Sequence, residues 1–233
     1  MPEDPRILAR IRAMGQEDVP AVSDLHQAAM GRSLWARLGP AFLRALYRAL
    51  LHQPPFLAFV YVQDGRVLGF IAGATDSRGL FWRTLVGGWR RLLGPLLRGL
   101  VARPSVLVPL LATPLYFARS HPGDEIPAES LFCSFVPELR GTRVSGEINR
   151  VFFRHLLDLG HRRVKITTEV DNQGANRQLT SWGFRARGRF RFYGKRMVTY
   201  VLDLPGHPRL SASDGSSPGT RQGQEDPGGT APA

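Results

Sequence analysis

Cysteine is almost missing from this chain: Cys133 is the only one in 233 residues, which excludes an intramolecular disulfide and a cysteine-cluster zinc site. Acidic residues are scarce too, 19 Asp and Glu against 31 Lys and Arg, for a net charge of +12. The shortage is sharpest between Ser77 and Gly123, which contains no acid but holds Arg78, Arg83, Arg90, Arg91, Arg98, Arg103 and Arg119. No apolar run reaches the ~20 residues that a membrane-spanning helix needs. The opening MPEDPR is acidic and proline-containing with no apolar core behind it, so no signal peptide is expected and a cytosolic protein is the default. No helix-turn-helix, zinc-finger or single-strand-binding signature accompanies the positive charge, so nucleic acid is not expected as a partner. A basic field of this kind also suits phosphorylated ligands or anionic lipid.

Between these absences lies a regular alternation of short elements. Ile7 to Ile11 alternates as a first strand, and Glu17-Asp18-Val19-Pro20 starts a helix through Val22, Leu25 and Ala29. Pro40 to Leu51 carries Phe42, Leu43, Leu46, Tyr47 and Leu50 on one helical side. Leu57 to Val62 and Val67 to Ala72 flank Asp64-Gly65, a strong hairpin signal. In the acid-free stretch, Leu85, Trp89, Leu92, Leu93, Leu96, Leu97 and Leu100 recur at helical spacing. Two readings of that stripe stand side by side: packing on the protein's own sheet or a second subunit, giving a homodimer, or lying on an anionic membrane as an interfacial helix. Val106 to Phe117, broken by Pro109 and Pro114, is too short to cross a bilayer.

Further on, LFCSFV (Leu131 to Val136) suits a buried strand, VPELRGTRVSG turns, and a helix carries Ile148, Val151, Phe152, His155, Leu156 and Leu159 to a stop at Gly160. A strand turning into a helix leaves N–H groups unpaired at the positive end of the helix dipole, a ready phosphate site. Arg163 to Glu169 alternates as a strand, and Asp171 to Gly174 turns into a short helix from Ala175 to Trp182. Phe184 to Tyr193 and Met197 to Leu202 form a closing hairpin around Gly194-Lys195-Arg196. Within it, Arg185, Arg187, Arg189 and Arg191 alternate with smaller and aromatic residues, placing four charges on one strand face. The residues from Pro205 to Ala233 lack the apolar content to fold and read as a disordered tail.

This order of elements resembles the GNAT acyltransferases, which move an acyl group from acyl-CoA to an amine. Two places carry the resemblance. Arg140-Gly141-Thr142-Arg143-Val144-Ser145 lines up with the pyrophosphate loop, and Asn172, Asn176 and Gly183-Phe184 match the family's Asn, three residues, Asn, then Gly-Phe ending. The resemblance covers roughly Ile7 to Leu204 apart from the insertion, and implies one domain over residues 1–204 with 77–123 as a basic amphipathic insertion, followed by the tail. It implies an α/β (α+β) fold: a mixed, mostly antiparallel sheet of about seven strands flanked by helices, its fourth and fifth strands splayed.

Acetyl-CoA would be the co-substrate, with no metal. Its pantetheine arm would meet main-chain groups of Phe135 and Val136, and its pyrophosphate the amides from Arg140 through Gly141, Thr142, Arg143, Val144 and Ser145 to Gly146. Asn172 and Asn176 would cap the short helix, contact the cofactor, or both. Glu129, opening the fourth strand, is the candidate base, and Asp124 and Glu125 are its alternatives. The acceptor would be a small or membrane-associated amine, such as an amino sugar of envelope biosynthesis, met in the cytoplasm or at the inner face of the membrane with the insertion roofing the acceptor site.

Three positions depart from the family pattern. Arg143 replaces a glycine and Ser145 a glycine or alanine, while Leu179 stands where many relatives place the tyrosine that protonates the departing thiolate; Tyr193 is the candidate substitute. The same departures support a second reading, a catalytically weak domain that binds acyl-CoA or docks on a membrane. Cys133 reads as a small hydrophobe in a buried strand, and His155 as a core histidine.

Overall fold

The computed structural model describes residues 3–111, 124–139 and 141–210. Its centre is a seven-stranded sheet in the order β1-β2-β3-β4-β5-β7-β6, built from β1 (Ile11–Ala13), β2 (Phe56–Gln63), β3 (Arg66–Ala74), β4 (Glu129–Phe135), β5 (Arg163–Glu169), β6 (Arg185–Phe192) and β7 (Lys195–Asp203). Neighbours run antiparallel except β4 and β5. That parallel ladder has two residue pairs, Glu129 with Lys165 and Ser130 with Ile166, after which the strands part. The mixed sheet and the splayed fourth and fifth strands are as expected.

The helices are α1 (Pro5–Leu8), α2 (Val19–Met30), α3 (Leu34–Arg37), α4 (Pro40–Leu50), α5 (Leu80–Gly87), α6 (Trp89–Ala102), α7 (Val144–Asp158) and α8 (Gln173–Ser181). The expected first strand at Ile7 is instead a helical turn. Asp4 accepts from the Arg6 amide at 3.1 Å and Pro5 opens the turn, so capping outweighs a weak alternation, and the strand begins at Ile11. The hairpin turn of β2–β3 falls on Asp64-Gly65, both at positive φ, as the sequence indicates. The turn of β6–β7 falls on Tyr193-Gly194 rather than Gly194 to Arg196. In β6, Arg187 is an extra residue between Ala186, opposite Tyr200, and Gly188, opposite Thr199. Such a bulge reverses the alternation, so Arg185 does not share a face with Arg189 and Arg191.

Each face of the sheet has its own apolar core. On one, Phe42, Leu46 and Leu50 of α4 and Val22 of α2 pack with Phe70, Ala72 and Ala74 of β3. On the other, Ile148, Phe152 and Leu156 of α7 pack with Ile71 and Val164. The period-two alternation of β3 supplies both. The insertion helices join the first core through Leu80, Leu85, Leu92, Leu96 and Leu100. At Gly99 a Cβ would collide with the Leu38 carbonyl, so α6 seats closely on the chain leading into α4.

The tail joins the second core. Leu204 and Leu210 are buried there, the His207 ring stacks on Trp182 with centroids 5.7 Å apart, and the Arg209 guanidinium lies 4.8 Å from the Trp182 ring centroid. The disorder expected from Pro205 is therefore corrected as far as Leu210: Trp182 offers an aromatic surface that the tail's average composition hides. Residues 211–233, like 112–123 and Arg140, lie outside the described residues.

Candidate active site

The turn expected to cradle a phosphate lies where the chain leaves β4. A short turn at Pro137–Leu139 leads to Gly141, whose φ of +76° makes the sharp reversal that glycine tolerates best. Arg143 then caps α7. The first intrahelical bond runs from the Glu147 amide to the Arg143 carbonyl at 3.0 Å. The Val144, Ser145 and Gly146 amides thus lie in the first turn, ahead of the helix's own bonding. A cavity of about 360 Å³ opens here, lined by Gly141, Thr142, Arg143, Ser145 and Gly146, and closed by Arg150, Gln178 and Arg209. A Cβ at Gly146 would meet nothing within 4 Å, so the space over the helix start is open.

The departures from the family pattern have local causes. Ser145 accepts from Gln178 Nε2 on Oγ and from Asn149 Nδ2 on its carbonyl, each at 2.7 Å, which ties the start of α7 to α8. Arg143 has φ −74°, an ordinary helical value that no glycine is needed to reach. Its guanidinium is 4.0 Å from Asp4 and 3.9 Å from Glu147. Glu147 is buried, with Arg150 at 3.1 Å, and its pKa is raised by that burial against the pull of Arg150 and Arg143.

Between the cradle and the sheet centre, β4 faces the gap that β5 leaves. The Val136 amide donates to the Leu68 carbonyl at 2.9 Å and its carbonyl accepts from the Leu139 amide at 3.2 Å. Val136 is therefore already committed, which corrects its expected pantetheine role. The alternation of an antiparallel ladder then turns the main-chain groups of Phe135 and Cys133 toward the gap. Cys133 is not the buried hydrophobe expected: it is solvent-accessible. Opposite β3, Ala72 pairs with Phe132 and Gly73 with Ser130, so Leu131 is an extra residue in β4. A bulge turns main-chain groups off the ladder, here beside the point where β4 and β5 part.

On the other side of the gap lies a cavity of about 1140 Å³. Its floor includes Glu129, Lys165, Thr167 and Met197, and its walls include Trp35 together with Phe81, Trp82, Val108 and Pro109 of the insertion. Glu129 and Lys165 are direct partners across the parallel ladder. Lys165 Nζ, buried, stands 3.7 Å from Glu129 Oε2 and 3.4 Å from Asp124 Oδ1. Burial raises the Glu129 pKa, while Lys165 and a hydrogen bond with Ser77 act in the opposite direction. Of the alternative bases, Asp124 serves Lys165 and Glu125 pairs with Arg187 at 3.5 Å.

Tyr193 lines the same cavity, at its other end. With about 3.3 Å of rise per residue, the run of β7 from Val201, which pairs with Lys165, to the turn carries Tyr193 about 20 Å along the sheet from Glu129. The two are not brought to one reacting atom. Leu179 is buried in the cluster around Phe153 and Trp182. Asn172 Oδ1 accepts from the Ala175 amide at 3.2 Å, and Asn176 Nδ2 donates to the Glu169 and Val170 carbonyls at 3.2 and 2.9 Å. Asn172 thus caps α8 and Asn176 ties that helix to the end of β5, and neither lines a cavity named above. Arg140 lies outside the described residues.

The sequence concealed Lys165 inside a strand alternation, and Gln178, Arg150 and the Leu131 bulge carried no signal there. A lysine at an inward position of a predicted strand, with no acid beside it in sequence, is the one hint that the chain offers. Among the described residues no group of His, Cys, Asp and Glu is placed to hold a metal.

No family model and no curated protein matches the sequence. Solved structures do match in shape. The ribosomal-protein-S18-alanine N-acetyltransferase from Escherichia coli is 12% identical, with 83% of this chain and 92% of that chain covered and a TM-score of 0.52. The ribosomal-protein-alanine N-acetyltransferase from Brucella melitensis is 13% identical, with 83% and 99% covered and a TM-score of 0.54. A GNAT-family protein from Desulfovibrio desulfuricans is 11% identical, with 83% and 98% covered and a TM-score of 0.54. The chain has the GNAT fold.

Proposed function

We propose that this protein is an acyl-CoA-dependent N-acyltransferase that moves an acetyl group from acetyl-CoA directly to the amine of a small or membrane-associated acceptor. The observation that carries the reading is the two-pair parallel ladder: the sheet opens between a candidate phosphate cradle at one end of β4 and a half-buried carboxylate at the other. The residues present fit the co-substrate. First-turn amides of α7, with Arg143, Arg150 and Arg209, suit a pyrophosphate and a further phosphate. The gap-facing main chain of Cys133 and Phe135 suits an amide-containing arm. When bound, acetyl-CoA supplies an activated acyl group, the C–N bond forming as the C–S bond breaks and CoA leaves as a thiolate.

The chain's own groups do the rest. Glu129 takes the proton from the acceptor ammonium, directly or through one water, and a raised pKa keeps its basicity close to the task. The main chain at the Leu131 bulge would donate to developing negative charge. Lys165 holds Glu129 ionised and in place. Leu179 offers no hydroxyl and Tyr193 is remote, so the proton that meets the thiolate comes from solvent. Tyr193 belongs to the rim that receives the acceptor.

The test is release of free CoA thiol from acetyl-CoA across a panel of amines that includes amino sugars. Turnover that Glu129→Gln abolishes supports the reading. Tight acetyl-CoA binding with no turnover on any amine would favour the second reading, an acyl-CoA-binding module, which the buried Leu179 supports.

A further inference from the structure

The insertion is apolar on two sides, and the protein uses one of them. Leu92, Leu96, Gly99 and Leu100 of α6 face the body. The other side is open: Trp82 is 61% exposed, Trp89 55% and Val101 85%, and Val86, Leu93 and Leu97 continue the same stripe between them. Trp82 and Val86 lie four apart on α5, and Trp89, Leu93, Leu97 and Val101 follow at intervals of four on α6, one ridge along that helix. Beyond the bend, Leu107, Val108 and Leu111 are exposed as well. A contiguous apolar surface of this kind on a folded domain marks an interaction site.

Its surroundings identify the occupant. Arg83, Arg90, Arg91, Arg98 and Arg103 are all exposed beside the stripe, and the Arg90 guanidinium lies 5.5 Å from the Trp89 ring centroid. From Ser77 to Gly123 there is no acid to oppose them. Indole rings at the edge of an apolar face, flanked by arginines alone, match the headgroup level of an anionic bilayer. No single helix of the insertion is long and apolar enough to cross the bilayer. The 14 residues of α6 span about 21 Å against a hydrocarbon core of about 30 Å, and the next helical stretch, Pro104–Leu111, is bent from it by 113°. The opposite side of α6 is also held against Leu38.

We infer that the open face of the insertion is a docking surface for an anionic membrane, on which α6 lies flat. Trp82 and Val108 belong both to this exposed face and to the wall of the large cavity. Docking therefore sets the cavity beside the headgroups. Resting on the acyl-transfer reading, this makes the acceptor an amine carried by a lipid or lipid-linked molecule at the bilayer surface.

Co-sedimentation of the full chain, without acetyl-CoA, tests docking apart from chemistry. The probes are vesicles of phosphatidylcholine alone and vesicles containing phosphatidylglycerol. The protein should pellet with the anionic vesicles at low salt, and recovery should fall as salt screens the arginines. The combined change Trp89→Ser, Leu93→Ser, Leu97→Ser should weaken binding at least about tenfold with an unchanged melting temperature. Should that variant fold poorly, Arg90→Glu with Arg91→Glu, confined to exposed charges, is read in the same way. Equal recovery with and without anionic vesicles would overturn the inference. So would a stable dimer in light scattering that the serine changes dissociate, because a second copy would then own the face. Failed docking would leave acetyl-CoA binding untouched, and failed acetyl-CoA binding would leave docking standing.

Discussion

The cradle at the start of α7 and the cavity over β4 and β5 are assembled in opposite ways. The cradle is nearly contiguous in the chain: a strand end, a glycine at positive φ and the first turn of one helix, with Gln178 and Arg209 added from outside. The cavity draws Trp35, Phe81, Glu129, Lys165, Tyr193 and Met197 from segments far apart in sequence. Binding a phosphate needs main-chain amides and positive charge, which a local turn supplies. Tuning a base needs burial and an opposing charge, which only tertiary packing supplies. The cradle should therefore be damaged by changes to its own few residues, and the cavity by changes at a distance.

The largest effect expected is Glu129→Gln, which should lower kcat by at least about 100-fold while leaving acetyl-CoA affinity unchanged, as measured by thiol release and calorimetry side by side. A loss of affinity instead would merge the two regions that the structure separates. Next is Ser145→Glu. An acid in the first turn suits the helix dipole and can keep the Gln178 contact, so the melting temperature should hold, while acetyl-CoA affinity should fall about 100-fold through like-charge repulsion.

The cavity side should also be the acid-sensitive side. His26, on α2, is buried against Phe132 of β4 with Nδ1 2.7 Å from the Tyr47 hydroxyl, and burial lowers its pKa to about 4. An unfolded histidine titrates near 6.5. Its neutral form thus contributes stability that is complete above about pH 6.5 and is lost as pH falls toward 4, about 3 kcal/mol in all. Denaturant midpoints across that range should drop, and His26→Gln should flatten the slope.

A smaller effect is expected from Lys165→Met. Because Lys165 opposes the burial that raises the Glu129 pKa, removing it should move the rising limb of the kcat/KM profile to higher pH. A limb that stays in place would detach Lys165 from the base. The smallest effect is Tyr193→Phe, expected to change kcat by less than about threefold, well short of the loss that follows removal of a general acid.

How far these regions can be read in the chain follows the same division. Strand β4, the turn and α7 announce themselves through LFCSFV, Gly141 and the apolar spacing up to Gly160, so the cradle is legible in the residue pattern alone. So is the β2–β3 hairpin, through Asp64-Gly65. The Glu129–Lys165 pair is not, because cross-strand register between parallel strands leaves no local trace. The commitment of Val136 to Leu68 and the opening of Cys133 into the gap depend on ladder phase, which a one-residue bulge at Leu131 resets. The insertion's stripe is visible as a stripe, but its division into a packed side and an open side depends on where Leu38 lies in the fold.

Titration of the intact protein with acetyl-CoA by calorimetry tests the central claim most directly. A cradle joined to a splayed sheet predicts saturable binding at one site per chain. The absence of heat at high micromolar acetyl-CoA would contradict it.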